Sequence, residues 1–361
     1  MKVMTILGTR PELIRLSLIV KKLDKLCDQV LVHTGQNYDV NLNDIFIGQL
    51  GYRKMDYYLE AKGSFGTQAG IILSQLEKII PKEKPDVFLV LGDTNSSLGA
   101  IMAKRLGVRV FHMEAGNRCF DDRVQEENNR RIIDSQSDIL LPYSQRSREN
   151  LVREGIAGNR IYVIGNPIKE VLDHFMPQID GSDVMNKLGL TKNKFFLITL
   201  HRADNVDSKD RLAKFVVAFN RVYDKYRLSM IWSIHPHTYR ELGKNLRLKV
   251  RKGIKLMEPL GFFEFNKLQK NALCVLSDSG TAPEECSIFG VPVVVLRDAM
   301  ERPETLDAGS SFVAGCEIED ILRGIEVVTK SDNNWQAPKE YLKMNVSDTV
   351  VRIILSYWRP L

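Results

Sequence analysis

Short apolar runs of strand length alternate with longer amphipathic stretches along the first half of the chain. Strands are predicted at seven places, which are residues 3–7, 30–33, 57–59, 86–91, 108–111, 139–142 and 161–164. Helices fit between them; the apolar positions of residues 11–23, for example, recur at the spacing of one helical face. Strands separated by helices in this way are typical of a doubly wound parallel sheet.

The second half of the chain repeats this alternation. Its predicted strands are residues 195–200, 230–234, 253–257, 273–276 and 291–296. One proline, two glycines and a serine cluster within residues 176–191, and such turn-forming residues mark a boundary. We therefore predict an α/β protein with two doubly wound, Rossmann-like domains, residues 1–176 and 177–361, whose strand ends face a central cleft.

The sequence predicts the structure of the end of the chain less fully. Residues 335–358 fit a terminal amphipathic helix or a pair of helices. The sequence leaves open whether this segment packs on the second domain or back on the first.

Composition narrows the class of protein. The chain has 361 residues, of which 44% are hydrophobic and 27% charged, as in soluble globular proteins of two domains. Its longest apolar runs have only strand length, so no membrane span is predicted. The chain begins with a strand rather than a secretory signal, and its five cysteines are scattered without metal-type spacing. We expect a cytoplasmic protein with no membrane partner.

The charge pattern points to a small anionic ligand. The formal net charge is +6, and lysines and arginines are spread along the chain without interleaved aromatic residues. A nucleic-acid partner is therefore not expected. An excess of positive charge suits a phosphorylated small molecule.

Ionisable residues follow several predicted strands of the first half. Arg10 stands in a Gly-Thr-Arg-Pro-Glu turn that opens the first helix, and Asp93 follows the strand at 86–91. Glu114 and Glu126 lie in the stretch 111–131, beyond the strand at 108–111. The carboxyl ends of parallel strands are where ligands bind in open α/β sheets, so this cluster predicts a site for proton transfer beside an anion. The plain alternative is that these acids cap helix N-termini.

The second half carries a comparable set. His201 and Arg202 follow its first strand, and His235 follows the next. The stretch 277–285 leads a Ser-Gly turn into a helix, an arrangement that presents amides and hydroxyls to phosphate. His235 and His237 lack a third residue at metal-ligand spacing, so no metal is expected. No Gly-x-Gly-x-x-Gly or Walker loop is present, so neither a nicotinamide cofactor nor ATP hydrolysis is expected.

Taken together, these motifs resemble the non-hydrolysing UDP-N-acetylglucosamine 2-epimerase family, whose fold is the two-domain GT-B type. The matching stretches run nearly end to end and are residues 8–12, 92–94, 112–118, 126–130, 201–202, 277–285 and 301–304. The resemblance implies an isomerase that needs no cofactor, takes a UDP-sugar as its substrate and forms a homodimer. It also implies the reaction course, in which UDP is eliminated across C1–C2 to a 2-acetamidoglycal and then added back.

The resemblance assigns roles to individual positions. It implies catalytic roles for Asp93, Glu114, Glu126 and His201. It implies UDP contacts for Arg10, His235, Ser279, Gly280, Glu285 and Arg302. Within or beside the same motifs, we add Arg15, Arg118, Arg130 and Arg202 as candidate substrate-binding residues. We expect three neighbouring carboxylates to repel one another, which would leave at least one protonated as an acid.

The motif sequences of this chain are most similar to those of one branch of the family. The stretch 112–121, with Tyr38 after Gly35-Gln36-Asn37, resembles the branch that makes UDP-N-acetyl-L-fucosamine for capsule and O-antigen synthesis. That branch epimerises UDP-2-acetamido-2,6-dideoxy-L-talose at C2. Asn37 stands where related bacterial enzymes have a histidine that helps hold an activating UDP-sugar, so we expect no such regulation.

Several alternatives stay open on the sequence. One is a UDP-N-acetylglucosamine/UDP-N-acetylmannosamine 2-epimerase, because the sequence does not reveal the substituent at C6 of the sugar. A second is a GT-B glycosyltransferase, which shares the fold and the nucleotide-binding half, and a third is a hydrolysing epimerase, which releases UDP and free sugar. A non-catalytic UDP-sugar-binding protein is motivated by Gln125 and Ser135, where the family usually has proline and histidine. Asp204, in place of the usual glutamate, is a further departure.

Overall fold

The computed structural model describes residues 1–36, 40–247 and 249–357. The chain divides into two compact units. Unit 1 comprises residues 1–173 and 340–361, and unit 2 comprises residues 174–339. The segment that the sequence left unassigned, from residue 340 onward, therefore belongs with the first unit.

Unit 1 is built on a six-stranded parallel sheet. Its strands are β1 (Lys2–Leu7), β2 (Asp28–His33), β3 (Tyr57–Tyr58), β4 (Val87–Leu91), β5 (Arg109–Met113) and β6 (Ile139–Leu141). The order across the sheet is β3-β2-β1-β4-β5-β6, with every pairing parallel. This is the order of a doubly wound nucleotide-binding domain, whose order reverses between β1 and β4. The strands are buried almost throughout, as expected for a parallel sheet covered on both faces.

Helices cover this sheet. They are α1 (Arg10–Leu26), α2 (Val40–Leu50), α3 (Phe65–Glu83), α4 (Gly99–Arg105), α5 (Gln125–Gln136), α6 (Gln145–Arg153), α7 (Ile168–His174) and, from the end of the chain, α17 (Val346–Ser356), with short 3₁₀ turns at Asn95–Leu98 and Gly158–Arg160. Thr9 and Glu12 form a capping box at the start of α1, and Pro11 occupies its first turn. The turn after β1 is thereby pinned, which places Arg10 at the carboxyl edge of the sheet.

Unit 2 repeats the architecture. Its strands are β7 (Phe195–Thr199), β8 (Ser229–Ser233), β9 (Ile254–Met257), β10 (Cys274–Ser277), β11 (Val293–Val295) and β12 (Ser311–Val313). They are parallel in the order β12-β11-β10-β7-β8-β9, the same topology read from the other edge. The order reverses between β7 and β10, which places the loops after these two strands at the switch point where doubly wound sheets bind ligands.

The helices of unit 2 complete its two cores. They are α8 (Met176–Asp180), α9 (Val184–Leu188), α10 (Ala203–Val206), α11 (Lys209–Tyr226), α12 (Pro236–Arg247), α13 (Phe262–Asn271), α14 (Ala282–Phe289), α15 (Pro303–Asp307) and α16 (Ile318–Lys330). One apolar cluster lies on each face of the sheet, centred on Trp232 on one face and on Val275 on the other. The predicted fold class, two doubly wound parallel sheets in one α/β chain, is confirmed.

Two predicted details differ from the structure. Residues 161–164 were expected to form a strand, but they form only an isolated bridge between Ile161 and Leu140 at the edge of the first sheet. The backbone N–H groups of Tyr162 and Ile164 also donate to the carbonyls of Leu140 and Pro142, at 2.9 and 3.0 Å. Ile161 and Ile164 are buried at this edge, although the pairing of the segment is too limited for a regular strand. Conversely, β12 was not predicted, because a three-residue edge strand is too short to show a periodic pattern. Within the described ranges, no helix is long and apolar enough to cross a membrane.

Candidate functional site

Three polar turns of unit 1 lie side by side because β1, β4 and β5 are neighbours in the sheet. They follow the carboxyl ends of these strands and carry Arg10, Asp93 and Glu114 respectively. Glu114 adopts a left-handed backbone conformation with φ of +66°, which is uncommon outside glycine. Such local strain persists only where the surroundings enforce it, and it is often found at functional sites.

Glu12 joins two of these turns. Its carboxylate is 1% exposed and accepts hydrogen bonds from the backbone N–H groups of Gly8 and Thr9, each at 2.7 Å. It also accepts from the hydroxyls of Thr94, at 2.7 Å, and Ser96, at 3.3 Å, in the turn after β4. Burial raises the pKa of Glu12 to about 7, although these donors act in the opposite direction. The sequence motif contained Glu12, but sequence reasoning did not single it out.

Glu114 is a buried carboxylate with a buried cation beside it. The guanidinium of Arg15, on α1, forms an ion pair with it, and the two side chains are 3% and 5% exposed. Arg15 also lies over the ring of Tyr143, with 5.7 Å from the guanidinium carbon to the ring centre. A positive partner at this range favours the ionised carboxylate. Arg15 is thus placed on Glu114, one of the residues that the sequence singled out as catalytic.

Asp93 has the same kind of partner. It forms an ion pair with Arg130 of α5, and the side chains are 16% and 2% exposed. The side-chain amide of Asn129 donates to the backbone carbonyl of Asp93 at 2.9 Å. Glu126 lies half-buried in the first turn of the same helix. Helix α5 therefore carries one candidate carboxylate and holds the turn of another.

Arg118 is placed differently from the other arginines of unit 1. Its side chain is 0% exposed and its guanidinium donates to Asp134, at 2.7 Å, and to both oxygens of Glu154, at 2.8 and 2.6 Å. It also donates to the carbonyl of Asn117. These contacts favour a role in holding the turn after β5 rather than in contacting the substrate.

The two departures from the family pattern on α5 face solvent. Gln125 and Ser135 are both exposed, and the hydroxyl of Ser135 donates to the carbonyl of Ile132 in its own helix. Neither residue contacts the buried ion pairs through a described hydrogen bond. Asn37 and Tyr38, on which the branch assignment partly rested, lie outside the described residues.

In unit 2, Asp278 organises the loops after β7 and β10. Its carboxylate is fully buried and accepts from the backbone N–H groups of His201, at 3.0 Å, and Arg202, at 2.9 Å. The amide of Asn205 donates to it at 3.2 Å, and the Nδ1 atom of His201 lies 3.4 Å away. His201 is about one-third exposed, so its ring is anchored at one nitrogen and accessible. Asp278 stands directly after a buried strand, which was the only sequence signal for it.

Two buried glutamates form ion pairs with three arginines of this unit. Glu301 is 2% exposed and pairs with Arg202, at 2.9 Å, and with Arg297. Glu284, in the first turn of α14, pairs with Arg302. The structure thus brings the predicted residues Arg202 and Arg302 into one cluster of alternating charges. Both glutamates stand in stretches that matched the family motifs, and sequence reasoning assigned no role to Glu301.

The Ser-Gly turn reaches this cluster. A Cβ atom placed on Gly280 would lie 3.2 Å from a carboxylate oxygen of Glu301 and 3.7 Å from Arg202, so a larger residue would crowd the ion pair. Ser279 lies before α14 and its hydroxyl is 3.2 Å from that of Thr281. Glu285 is 3% exposed in the first turn of α14.

His235 lies after β8 and is half-buried, and its Nδ1 accepts from the backbone N–H of His237 at 3.2 Å. The Nε2 atom of His237 is 2.6 Å from Asp207. Among the described residues, no group of three or more histidine, cysteine, aspartate or glutamate side chains is placed to hold a metal ion.

The fold and the charged residues at the strand ends together indicate the class of protein. Two doubly wound sheets in one chain, each with charged side chains at its carboxyl edge, constitute a GT-B type α/β enzyme. A solved structure of the same architecture is that of the Methanocaldococcus jannaschii UDP-GlcNAc 2-epimerase in complex with UDP-GlcNAc and UDP, with a TM-score of 0.94 and 39% identity over 99% of this chain and 100% of that one.

The family follows from the sequence matches. The family model for UDP-N-acetylglucosamine 2-epimerase matches residues 21–355. The chain is 39% identical to the UDP-N-acetylglucosamine 2-epimerase of Methanococcus maripaludis, over 99% of this chain and 100% of that protein. It is 36% identical to the UDP-2,3-diacetamido-2,3-dideoxy-D-glucuronate 2-epimerase of Pseudomonas aeruginosa, over 89% and 90%. The chain belongs to the UDP-N-acetylglucosamine 2-epimerase family and is an isomerase of the epimerase class.

Proposed function

We propose that the protein interconverts UDP-N-acetylglucosamine and UDP-N-acetylmannosamine by inverting C2 of the sugar. The relatives at 39% identity that span the whole chain are named for UDP-N-acetylglucosamine, which supports this substrate over the 6-deoxy-L-talose derivative expected from the motifs. The finer expectation, UDP-2-acetamido-2,6-dideoxy-L-talose, stays as the second candidate on the wording of residues 112–121.

The chemistry explains why a UDP leaving group is needed. The hydrogen on C2 is not next to a carbonyl, so removing it directly is prohibitively difficult. In the proposed course a base takes the C2 proton while the bond from C1 to the UDP oxygen breaks, which forms a C1–C2 double bond and free UDP. Addition of UDP back to C1, with a proton delivered to the opposite face of C2, regenerates the UDP-sugar as its epimer. Protons and electrons balance without any cofactor.

We assign the proton transfers to the carboxylates of unit 1. Glu114 and Asp93 are each paired with an arginine, and this favours the ionised form that a base requires. Glu126 is half-buried in the first turn of α5, and we assign it to the same reaction because of this position. Removal and return of the proton on opposite faces needs two acid–base groups or a rotation of the intermediate.

We assign the departing diphosphate to the arginines and the turns. In unit 2, Arg202 and Arg302, the accessible ring of His201 and the Ser279–Gly280 turn before α14 present positive charge and N–H donors. In unit 1, Arg10 lies at the N-terminus of α1. Such groups stabilise the charge that develops on UDP as it leaves.

One observation carries this proposal, the buried Arg15–Glu114 ion pair at the end of β5. The Glu114 carboxylate is only 5% exposed and its backbone has φ of +66°. Burying the charge and straining the backbone both cost folding free energy, and a residue with only a structural role would not need either. We therefore predict that Glu114→Gln lowers kcat at least about 100-fold, since a catalytic proton transfer contributes roughly 10²–10⁴-fold. The matched control is Glu77→Gln on α3, where the glutamate is exposed.

The experiment is proton NMR of the purified protein in D₂O with each of three UDP-sugars offered separately. These are UDP-N-acetylglucosamine, the 6-deoxy-L-talo sugar and UDP-2,3-diacetamido-2,3-dideoxy-D-glucuronate. Loss of the C2 proton signal and appearance of the epimer, with UDP still attached, establishes the reaction, and the sugar with the highest kcat/KM names the substrate. Exchange confined to the L-talo sugar would replace our first candidate by the second.

The same spectra separate the other functions. Free UDP accumulating in proportion to free sugar would indicate a hydrolysing epimerase. Binding of UDP without exchange at C2 in any of the three sugars would contradict an epimerase and support a binding protein. Near-normal turnover in Glu114→Gln would remove that residue from the chemistry.

We also propose that the protein acts in the cytoplasm as a homodimer, in the synthesis of a surface polysaccharide such as capsule or O-antigen. Among the described residues, no cysteine forms a disulfide bond, which suits a reducing compartment. The dimer and the pathway rest on the family resemblance. Light scattering coupled to size-exclusion chromatography would test the dimer, and a mass of one chain would contradict it.

A further inference from the structure

One buried network joins the elements that carry the three carboxylates of unit 1. Its centre is His112, on β5, which is 0% exposed. The Nε2 atom of its ring is 2.9 Å from the carbonyl oxygen of Gly92, the residue before Asp93. The Nδ1 atom is 2.8 Å from Asp134, on α5. The ring therefore spans from the turn after β4 to the helix that carries Glu126.

Both partners of the His112 ring are acceptors. A backbone carbonyl can only accept, so the Nε2 atom must donate to Gly92. Asp134 receives further hydrogen bonds from the backbone N–H of Gly116, at 3.1 Å, and from Arg118, at 2.7 Å, so it acts as an ionised acceptor as well. The Nδ1 atom of His112 must then also donate. The geometry requires hydrogen on both ring nitrogens.

The charges in this network balance. The guanidinium of Arg118 and a doubly protonated His112 face the carboxylates of Asp134 and Glu154. Burial acts to raise the pKa of Asp134, but the hydrogen bond and charge of His112 and the charge of Arg118 outweigh it, so that pKa is lowered. Buried charges are tolerated when they are paired and hydrogen-bonded in this way.

The network fixes Asp93 and Glu114 through the backbone of their turns. Asp134 holds Gly116, two residues after Glu114, and His112 holds Gly92, one residue before Asp93. From the other side, Arg130 holds the side chain of Asp93. Since Arg130 and Asp134 lie one turn apart on α5, the helix, the Asp93 turn and the Glu114 turn are tied into a single frame.

We propose that His112 and Asp134 are positioning residues that set the spacing of the acid–base carboxylates, through a His112 ring that donates a hydrogen bond from each of its nitrogens. The inference rests on the proposed function, because it presumes that Asp93, Glu114 and Glu126 move the protons at C2. Neither residue touches the substrate in this assignment; each acts through the turns it holds. Errors of about 1 Å in such positioning cost about 100-fold in rate.

Two variants test the hydrogen bonds of the two ring nitrogens of His112 separately. His112→Asn keeps a donor near the Nδ1 position for Asp134 but loses the bond to Gly92, and His112→Gln keeps a donor near the Nε2 position for Gly92 but loses the bond to Asp134. We expect each to lower kcat about 10- to 100-fold, and Asp134→Asn about 100-fold, with KM and the Kd for UDP changed less than about threefold. Ser135→Ala is the control, because Ser135 neighbours Asp134 but is exposed and bonds only within its helix.

A second measurement does not depend on the variants. In nitrogen-15 spectra of histidine-labelled wild-type protein, we expect one buried ring with a proton on each nitrogen. The other buried histidine, His33, accepts at Nδ1 from the backbone N–H of Gly35 and therefore gives a different signature. The absence of any doubly protonated ring would overturn the proposal, even if the variants fail to fold.

The outcomes separate this inference from the proposed function. Kinetics are measured on whichever UDP-sugar the wild-type protein epimerises. Wild-type kcat in both His112 variants, or losses in KM and Kd as large as those in kcat, would contradict the positioning role while leaving the epimerase intact. If the wild-type protein turns over no UDP-sugar, the proposed function fails, and the spectrum still decides whether His112 carries two protons.

Discussion

At the scale of single residues, the environment of Glu12 shows how a carboxylate can be buried with only neutral hydrogen-bond partners among the described residues. Its described partners are two backbone N–H groups and three hydroxyls, those of Thr9, Thr94 and Ser96. Neutral donors offset only part of the cost of burying the charge, so the protonated form is favoured and the pKa rises to about 7. A proton can thus enter or leave beside the Arg10 turn near neutral pH.

Because folding raises the pKa of Glu12, the free energy of unfolding depends on pH. The folded protein binds the Glu12 proton more tightly than the unfolded chain, so this residue contributes stability below the ordinary value of 4.5 and loses it as pH rises to about 7. At about 1.4 kcal/mol per pH unit, the difference amounts to roughly 3 kcal/mol. Glu12→Gln should remove this dependence. Its amide oxygen can replace the carboxylate oxygen that accepts from Gly8 and Thr9, and its NH₂ group can donate to the hydroxyl of Thr94.

The measurement compares urea unfolding midpoints of the wild type and Glu12→Gln at pH 5 and pH 8. We expect the variant to gain stability relative to the wild type on going from pH 5 to pH 8. Glu77→Gln serves as the control for a glutamate that is exposed. A stability difference between wild type and Glu12→Gln that is the same at both pH values would contradict the assignment.

At the scale of elements, the turn between β5 and α5 depends on a glycine. Gly116 has φ of +72°, and a Cβ atom there would lie 2.2 Å from the carbonyl oxygen of Ser147 and 2.6 Å from Leu151, both on α6. The turn therefore packs its backbone directly against the next helix. This close approach lets the N–H of Gly116 reach Asp134 and its carbonyl reach the amide of Asn150.

Alanine substitutions at two glycines distinguish the cost of backbone strain from the cost of steric clash with a neighbouring helix. Gly107 also has a positive φ, +78°, but a Cβ there meets no atom within 4 Å. We expect Gly107→Ala to cost about 1 kcal/mol of unfolding free energy, from backbone strain alone. Gly116→Ala should cost more than about 3 kcal/mol, because α6 must also move. Denaturant unfolding monitored by circular dichroism gives both values, and equal losses would show that the turn can relax without disturbing α6.

At the scale of the whole molecule, unit 1 is completed by the end of the chain. The chain leaves this unit at residue 173 and returns at residue 340. Helix α17 packs on α1. It buries Val350 and Ile354, and Glu170 accepts from both the backbone N–H and the hydroxyl of Ser347. The helix that presents Arg10 and Arg15 is thus covered by residues distant in sequence.

We predict that Val350→Ala destabilises unit 1 selectively. Val350 is 0% exposed, and loss of two buried methyl groups should cost about 2 kcal/mol. Val327→Ala on α16, where the side chain is 44% exposed, is the matched control and should change stability by less than about 0.5 kcal/mol. Calorimetry would follow the two units, with the transition of unit 1 lowered and that of unit 2 unchanged. Equal shifts in both transitions would contradict selective destabilisation.

Much of the fold could be predicted because its signals are local. Eleven of the twelve strands in the described ranges overlap a predicted apolar run, since buried parallel strands require continuous apolar residues. The missing one, β12, has three residues and lies at a sheet edge. The expected strand at residues 161–164 is only an isolated bridge to β6, because an apolar run indicates burial but not how regularly the backbone pairs with its neighbour.

The candidate site was predictable only in part. Arg10, Asp93 and Glu114 could be grouped because each follows a predicted strand, and parallel strands share one carboxyl edge. Their catalytic and binding roles stay predictions. The partners Arg15 and Arg130 come from helices, and the sequence does not indicate which helical residue will face which strand end.

The sequence by itself determined the alternation of strands and helices, the caps and turns between them, and the kinds of chemical group at the strand ends. These follow from periodicity and from the conformational preferences of neighbouring residues. Only the tertiary structure decided which groups are paired: Arg15 with Glu114, Arg130 with Asp93, and His112 with Asp134 and Gly92. The reason is physical, since strand order and helix packing are set by burial across the whole chain, and an ion pair or a buried proton depends on distances that local sequence does not specify.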